Sequence, residues 1–362
     1  MVLYVYDINL QPLGLIEEIK SFVWIRRYYE PGEMKLLLPY SAANRELLQT
    51  GRLIRHFGEC AEIEYIKLER DESGQETMEV CGRFLAAWLE RRVINPAMER
   101  KDTRPGAFVK LLVQKNMTES TEERKVTELT VTADTSTGEQ DTYSAERFDN
   151  LLDVAEDILE EADMGMRVSS YQYPHELQIY QGTDRTEGNA GACIFSTEFE
   201  NVLAQEYEED CKKQRNMAYI SGEEKDGKPT ITYVGDGSTG LQRREIRVNA
   251  SARREFEGDG GKTVTLTEAQ FLSAIKKEGK QALAQNKKTL AFDSDIATNV
   301  WPKYRTDYDL GDKVTIVNRN WNVRTDTRIT EIEETYEAGG MQLRLTFGDS
   351  IPSLYKSLKN MR

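Results

Sequence analysis

The chain has 362 residues, of which 39% are apolar and 30% charged, and its formal net charge is -14. This is the composition of a globular protein, and the length allows two or three domains, each with its own core. The acidic balance argues against a protein that grips nucleic acid, because phosphates would be repelled. Two interpretations stay open: ordinary solubility, or an acidic wall along which DNA slides without specific binding.

The sequence predicts a protein with neither a membrane anchor nor a signal peptide. Its longest apolar stretches are a handful of residues, whereas a bilayer span needs roughly 20. The N-terminus lacks a basic segment and predicts a strand over residues 2–8. Four widely spaced cysteines without a CxxC pair predict buried, reduced thiols in a protein made in a cytoplasm. They are Cys60, Cys81, Cys193 and Cys211.

The first predicted domain, residues 1–95, is β-rich. Short runs of β-branched and aromatic residues alternate with turn residues, which predicts a small barrel or sandwich. The predicted strands are 2–8, 22–25, 34–38, 61–68 and 78–83. A turn is predicted at 10–14, a short helix at 41–50 and a helical turn at 84–89.

The second predicted domain, residues 96–195, mixes α and β structure. A helix is predicted from Pro105, a strand over 128–133, and paired strands at 166–173 and 176–180. A further helix is predicted from one apolar face of helical period. That face comprises Phe148, Leu151, Leu152, Ala155, Ile158, Leu159 and Ala162. Its opposite face is acidic, which favours a solvated helix surface over a ligand site.

The third predicted domain, residues 196–362, returns to β structure with one inserted helix. The helix is predicted over 268–285, because Thr267 and Gln270 have the spacing of a capping box. The last long strand is predicted to bend where Ile329 and Ile332 break the alternation. The predicted strands are 217–222, 230–234, 242–248, 313–317, 321–336 and 341–347. The fold class is therefore β-rich α+β, with two barrel-like domains flanking a mixed one.

No set of residues indicates catalysis, a cofactor or a metal, so the site prediction is empty for all three. The two histidines, His56 and His175, lack metal-ligand neighbours at a suitable spacing and favour structural roles. No GxSxG elbow is present. The run 258–263 resembles the end of a phosphate loop, but Phe256 replaces its leading glycine, so we predict a hairpin loop. A paired-carboxylate glycosidase stays open as an alternative, since no pattern singles out two of the 62 acids.

Seven phrases, taken in order, resemble the ReqiPepy-type siphovirus tail protein family of phages and prophages. Their order and spacing carry the resemblance over nearly the whole chain. They are WIRRYYEPGEMKL (24–36), LQTGRLI (48–54), CGRFLAAWLERRVI (81–94), YQGTDRT (180–186), FSTEFENV (195–202), YDLGDKV (308–314) and RITEIEE (328–334). The turn at Asp309 to Asp312 is interpreted as a family marker that feeds a strand, without chemistry of its own.

The resemblance implies a structural role in the virion. The family is similar to hub proteins of contractile tails, which form trimeric rings from two barrel-like tube domains per subunit. This implies a homotrimeric tail-tip hub that joins the distal tail protein and tape-measure protein to tip or fibre proteins, and lines the DNA exit channel. The family also resembles the N-terminal part of tail-associated lysins. Only a dozen residues follow Ser350, so we do not expect an appended lytic domain.

Two alternatives of other classes stay open. One is a tail-associated cell-wall hydrolase. The other is a carbohydrate-binding receptor module, which exposed aromatic rings would favour. Core packing is expected for three of the four tryptophans, and Trp301 before Pro302 is the exception. Loops at 119–124 and 206–210 are candidates for an acidic channel lining.

Overall fold

Residues 1–132, 139–225, 227–257 and 263–348 are described by the computed structural model. They divide into two units. The first comprises Met1–Asn95, Arg100–Glu206 and the described residues from Phe292 to Gly348, and the second comprises Tyr207–Ala291 with Pro96–Glu99. The three-domain division at residues 95 and 195 stays a prediction.

The N-terminal part of the first unit is a run of antiparallel strands. A short helix, α1 (Ala42–Leu47), follows the fourth strand, and a 3-10 helix (Leu85–Arg91) follows the seventh. The strands are β1 (Leu3–Tyr6), β2 (Pro12–Ile16), β3 (Ser21–Arg27), β4 (Glu33–Pro39), β5 (Leu53–His56), β6 (Glu59–Arg70) and β7 (Glu76–Phe84). Their spatial order is β3-β4-β7-β6-β5-β1-β2, which leaves β2 at one end of the sheet.

The middle of the first unit adds two helices and two small sheets. Pro105 begins the first helix, as its fixed φ allows at this position. The elements are β8 (Met98–Thr103), α2 (Pro105–Val113) with a π-helical turn (Gln114–Thr118), β9 (Leu129–Val131), β10 (Asp141–Ala145), α3 (Leu151–Glu161), β11 (Gly165–Ser169) and β12 (His175–Tyr180). β10 pairs with β8, and β12 lies between antiparallel β11 and parallel β9.

The C-terminal part of the first unit extends the large sheet. The elements are β13 (Asp184–Arg185), β14 (Ile194–Ser196), a 3-10 helix (Thr197–Phe199), β15 (Val202–Asp210), β21 (Thr289–Ile296), β22 (Lys313–Asn318), β23 (Val323–Glu337) and β24 (Gly340–Gly348). The order continues from β3 to β23, β24, β21 and β15, while β13, β14 and β23 pair with β22. Within the described ranges this order does not close on itself, so the barrel form of the two tube domains is not confirmed.

One long strand joins the two halves of the sheet. β23 pairs with β22 through its first part and with β3 through its second part. The register shifts between Ile329 and Glu331, so the predicted bend in this strand is confirmed as an irregularity in the ladder. Two apolar cores lie along the sheet: one contains Phe22 and Trp24, and the other contains Tyr28 and Phe347.

The second unit is a three-stranded sheet covered on one face by a helix. It contains β16 (Met217–Lys225), β17 (Lys228–Gly235), a 3-10 helix (Gly240–Gln242), β18 (Glu245–Asn249), β19 (Glu255–Glu257), β20 (Thr263–Thr265) and α4 (Glu268–Gln285). The sheet order is β17-β16-β18, and β19 pairs with β20. Phe271 and Ile275 of α4 form its core with Ala218 and Ile220. The capping box of Thr267 with Gln270 is present, and α4 has its predicted bounds.

The β-rich class is confirmed, and three local predictions are wrong. The turn predicted at 10–14 lies earlier, because the Asp7 carboxylate accepts from the amides of Asn9 and Gln11, and β2 begins at Pro12. Phe148 is exposed and outside its helix, because Asn150 accepts from the Leu152 amide and starts α3 at Leu151.

The third error concerns residues 206–210, which belong to strand β15 and are not a loop. Four of these five residues are acidic, and they lie on a strand at the end of the sheet. Charged residues are common on such end strands, because they oppose pairing with other chains. The predicted hairpin loop near 258–263 begins outside the described residues, between the paired strands β19 and β20.

Candidate functional site: a junction of four sequence phrases

The site begins with a charged side chain in an apolar row. Every second residue of β3 is buried, and this pattern continues one residue past its end. The buried residues are Phe22, Trp24, Arg26 and Tyr28. Phe22 and Trp24 belong to one core and Tyr28 to the other. Arg26 therefore lies where the two cores meet, and only 2% of its surface is exposed. A guanidinium at such depth requires anionic partners.

Arg26 has three polar partners from distant parts of the chain. Its Nε donates to Glu59 Oε2 at 2.6 Å. Its Nη1 donates to Asp309 Oδ1 at 2.5 Å and to the Tyr304 hydroxyl at 3.0 Å. Burial would raise the pKa of Asp309, but the charge and hydrogen bond of Arg26 hold it below its usual range. The Asp309 carboxylate therefore stays ionised, and its ion pair with Arg26 stays formed.

The turn that carries Asp309 is fixed by a second carboxylate. Asp312 accepts from the Thr183 amide and from Arg185 Nε, each at 2.7 Å. It also accepts from the amide of Asp309 at 3.1 Å. Gly311 between them has a φ of +90°, which favours glycine. The interpretation of this segment as a marker without chemistry is thus incomplete, since both of its acids hold buried or half-buried arginines.

Three glycines give the backbone the room that this turn needs. A side chain on Gly182 would overlap the backbone of Gly311. The ring of Tyr28 occupies the space that side chains on Gly165 and Gly311 would fill. The Tyr28 hydroxyl donates to the carbonyls of Tyr180 and Asp163, at 3.2 and 3.3 Å. Tyr28 therefore packs three chain segments against one ring.

Asp163 forms the next charged pair. Arg328 donates to both of its carboxylate oxygens, at 2.7 and 2.5 Å, and Lys313 Nζ lies 2.9 Å from Oδ2. Tyr29 donates to Oδ1 at 2.9 Å. Burial would raise the pKa of Asp163, but the hydrogen bonds from Arg328 and Lys313 lower it to about 2. The Arg328 guanidinium also lies over the Tyr28 ring, 4.8 Å from its centre.

Glu334, near the C-terminal end of β23, is another carboxylate in this group of charged pairs. It is fully buried and has four donors: His56 at 3.1 Å, Tyr304 at 2.9 Å, Arg305 at 2.6 Å and Tyr336 at 2.7 Å. Burial would raise the pKa of Glu334, but His56 and Arg305 lower it to about 2. The Tyr304 hydroxyl accepts from Arg26 and donates to Glu334, so it links the two carboxylate clusters.

These residues form what we call the motif junction, since they come mainly from the phrases at 24–36, 180–186, 308–314 and 328–334. Its carboxylates are occupied by donors, so none of them is arranged as a proton carrier with a free acceptor. Among the described residues no group of His, Cys, Asp and Glu could hold a metal ion. The arrangement fastens segments that are far apart in sequence.

The two histidines contribute to packing and hydrogen bonding. His56 lies edge-on to Phe22 and Trp24 as well as beside Glu334. His175 is buried, with Nδ1 2.9 Å from the Ser170 hydroxyl and Nε2 3.1 Å from the Ile8 carbonyl oxygen. Burial lowers the pKa of His175 and favours its neutral form.

Two expectations about side-chain burial are wrong. Cys211 is exposed, whereas Cys60 and Cys193 are buried as expected and Cys81 is intermediate. Trp321 is also exposed, as is Trp301, while Trp24 and Trp88 lie in the core. Trp321 lies in the turn at 319–322, before β23 begins, so its position in an apolar pattern does not bury it. No helix in the described parts of the chain has the length and hydropathy of a membrane span.

The fold is that of phage and prophage tail proteins. A tail protein from Neisseria meningitidis MC58 superposes with a TM-score of 0.62 at 10% identity, over 96% of each chain. The prophage MuSo2 43 kDa tail protein from Shewanella oneidensis gives 0.62 at 13% identity, over 96% of this chain and 98% of that one. Prophage tail protein gp18 from Listeria monocytogenes EGD-e gives 0.57 at 10% identity, over 100% and 98%.

The sequence identifies the family within this class. Residues 2–349 match the siphovirus ReqiPepy6 Gp37-like protein family, and the chain belongs to it. The resemblance carried by the seven phrases is therefore confirmed. No curated protein matches the chain in sequence.

Proposed function

We propose that this chain is the structural hub of a phage tail tip, which forms a homotrimeric ring at the distal end of the tail tube. The observation that carries the proposal is family membership over residues 2–349, together with a tail-protein fold over the whole chain. In this role the two β-rich parts of the chain act as barrel-like tube domains. The ring joins the distal tail protein and tape-measure protein to tip or fibre proteins.

The motif junction supports a structural role for the chain and not a catalytic one. Its buried ion pairs hold strands from both ends of the chain in one place. An enzyme site needs a group with a free acceptor or a reactive nucleophile in reach of substrate. The junction carboxylates are instead occupied by arginine, lysine, tyrosine and histidine donors. We therefore propose that the chain has no enzymatic activity of its own.

The net charge of -14 supplies residues for a negative channel wall in the assembled ring. A basic wall would retain DNA by releasing counterions, whereas Asp and Glu repel phosphates and leave the path open. We propose that the inner surface of the ring is negative. The acidic strand residues at 206–210 are candidates for this surface.

Reconstruction of the assembled tail tests the hub proposal. Threefold symmetry at the density of this chain, next to the tube, is the expected result. Sixfold symmetry or a single copy at that position would refute the ring. A lumen lined mainly by Lys and Arg would refute the negative wall while leaving the threefold ring in place.

A second candidate is a carbohydrate-binding receptor module, favoured by the exposed rings of Trp301 and Trp321. Sugar rings stack on such faces, as do other flat or apolar groups. Binding of purified host wall polysaccharide, lost in Trp301→Ala and Trp321→Ala, would support this candidate. Unchanged binding in both variants would exclude these rings as the receptor site.

A further inference from the structure

One face of the sheet in the second unit carries exposed apolar side chains. α4 packs on the opposite face, where alternate residues of the three strands form the core. The intervening residues point away from α4, because side chains alternate along a strand. Tyr219 of β16 is paired with Tyr233 of β17 and with Arg247 of β18, and Ile231 lies two residues before Tyr233. We call the surface formed by these four residues the second-unit face.

The apolar part of this face is well exposed and partly rigid. Ile231 and Tyr233 are 68% and 65% exposed. The Tyr219 hydroxyl accepts from Arg243 Nη2 at 2.9 Å and donates to Glu245 Oε1 at 3.3 Å, which holds its ring in place. Contiguous exposed apolar surface marks an interaction site, and fixed aromatic rings lose little entropy on binding. The second-unit face therefore suits contact with another protein surface.

Arg247 is the uncompensated charge at the centre of this face. It is exposed and has no partner in the described parts of the chain, whereas Glu245 is bound by Arg243 at 2.5 Å. Glu224 lies past the bulge in β16. Residues 207–291 contain 16 Lys and Arg against 13 Asp and Glu, whereas the rest of the chain contains 32 against 49. Arg247 favours an acidic partner, and the remainder of a second copy supplies acidic surface.

A second exposed apolar surface lies at the β2 end of the large sheet. Tyr4 and Leu15 are paired across β1 and β2, and Leu13 lies beside them on β2. All three are between 44% and 50% exposed. Since β2 is the end strand, its outer edge has no neighbour within the described sheet. Two exposed acids, Glu17 and Glu18, follow β2 directly. We call these five residues the N-terminal face.

The two faces are complementary in charge and alike in apolar character. Glu17 and Glu18 have no partner within the described ranges, and Lys20 leaves this end of β2 net negative. Contact between two copies of the same face would oppose like charges, which is unfavourable. Contact between the two different faces brings Arg247 towards the acids. Such a heterologous contact between identical copies can close into a ring.

We propose that the second-unit face of one copy binds the N-terminal face of a second copy. The exposed tyrosines and isoleucine pack against Tyr4 and Leu15. Arg247 lies beside Glu17 and Glu18 at the rim of the contact. The choice of a second copy as the partner rests on the proposed ring. A nucleic acid would need several free cations along its backbone, and the second-unit face presents a single one.

Sedimentation velocity of the full chain measures the association. Between about 1 and 300 µM the mean mass of the wild type should rise above that of one copy, with a dissociation constant on the order of 100 µM. Tyr233→Glu and Leu15→Glu each place a charge at an exposed apolar position and should weaken association at least about tenfold. Leu203→Glu is the control, because Leu203 is 71% exposed on β15 outside both faces. Circular dichroism and unfolding midpoints should match the wild type for all three variants.

Mixing the two variants distinguishes this contact from a symmetric one. Tyr233→Glu keeps the N-terminal face intact, and Leu15→Glu keeps the second-unit face intact. An equal mixture should therefore form a dimer about as tightly as the wild type associates, and nothing larger. Raising the salt concentration from about 50 to 500 mM should weaken the contact severalfold, because exposed charges at its rim are screened.

A wild type that stays a single copy at about 300 µM would overturn the proposal. So would association that neither variant weakens, that Leu203→Glu weakens equally, or that the mixture fails to restore. Binding of an oligo-dT strand that is lost in Tyr233→Glu would overturn it in favour of a nucleic-acid surface. A reconstructed threefold ring in which the two faces do not meet would overturn it while leaving the hub proposal in place.

Discussion

Gly182 and Gly311 meet so closely that the backbone of Gly311 occupies the space where a side chain of Gly182 would lie. The two residues are far apart in sequence and belong to two of the phrases that define the family. The residues that follow them in sequence are hydrogen-bonded to each other: the amide of Thr183, after Gly182, donates to the carboxylate of Asp312, after Gly311, at 2.7 Å. The close approach is therefore part of how the junction is assembled.

Gly182→Ala should destabilise the first unit. The added methyl group would press on backbone atoms, which yield less easily than the end of a flexible side chain. We expect a loss of about 2 kcal/mol or more in the free energy of unfolding, measured by urea denaturation. Gly339→Ala is the control, because nothing lies within 4 Å of its added carbon. Equal stability of the two variants would show that the backbones separate freely.

Arg26→Ala should be among the most destabilising single changes in the chain. It leaves Glu59 and Asp309 without their shared cation, and breaking such a buried pair costs about 3–5 kcal/mol. Arg83→Ala is the matched control, because Arg83 also binds two acids but is partly exposed. Its loss should be below about 1 kcal/mol. Denaturation curves that do not separate the two variants would contradict a structural role for the junction.

Glu334 should make the fold sensitive to acid. Burial opposes its ionisation, yet His56 and Arg305 lower its pKa from 4.5 to about 2 in the folded protein. A carboxylate with a lowered pKa stabilises the fold above its unfolded pKa, and this stability is lost as the pH falls through the folded value. The stability advantage of wild type over Glu334→Gln should thus shrink by roughly 3 kcal/mol between pH 4.5 and pH 2.

The pH dependence is measured by urea denaturation at several pH values. Glu17→Gln, at an exposed position, serves as the control and should track the wild type throughout. A constant difference between wild type and Glu334→Gln across this range would show that Glu334 does not titrate with folding.

The purified protein should not degrade peptidoglycan. The carboxylates of the motif junction are held by donors, and no other constellation in the sequence indicates a hydrolase. Turbidity of purified host cell walls should remain constant over the time in which lysozyme clears them. Clearing by the protein that disappears when one pair of its carboxylates is replaced by amides would contradict the structural assignment.

Local patterns predicted the elements whose signals lie within a few residues. The Thr267 capping box fixed the start of α4, and the break at Ile329 located the irregularity in β23. Strands β5 and β21 are two examples of the strands that local patterns did not predict. β5 has only four residues. In β21 two aspartates follow a short apolar stretch. Neither strand therefore shows a sustained alternation of apolar and polar residues.

The motif junction could not be predicted from local patterns, because several of its partners are far apart in sequence: Arg26 and Asp309 are 283 residues apart, and Arg185 and Asp312 are 127 residues apart. One local signal was available: the inward row of β3 places Arg26 between Trp24 and Tyr28. A charge in such a row indicates a buried ion pair, but it does not say which acid completes it. That choice depends on the path of the sheet from β3 to β23, which no pattern within either strand specifies.

The pairing of β3 with β23 also sets the order of events during synthesis. Arg27 is translated about 300 residues before its partner Glu331. At a synthesis rate of roughly 5–20 residues per second, β23 is completed about 15–60 seconds after β3. Until then the edge of β3 that pairs with β23 is uncovered. A chain released early would keep this edge bare and open to pairing with other chains. Only a fully translated subunit can bury it within itself, so premature termination products are the species most prone to aggregate.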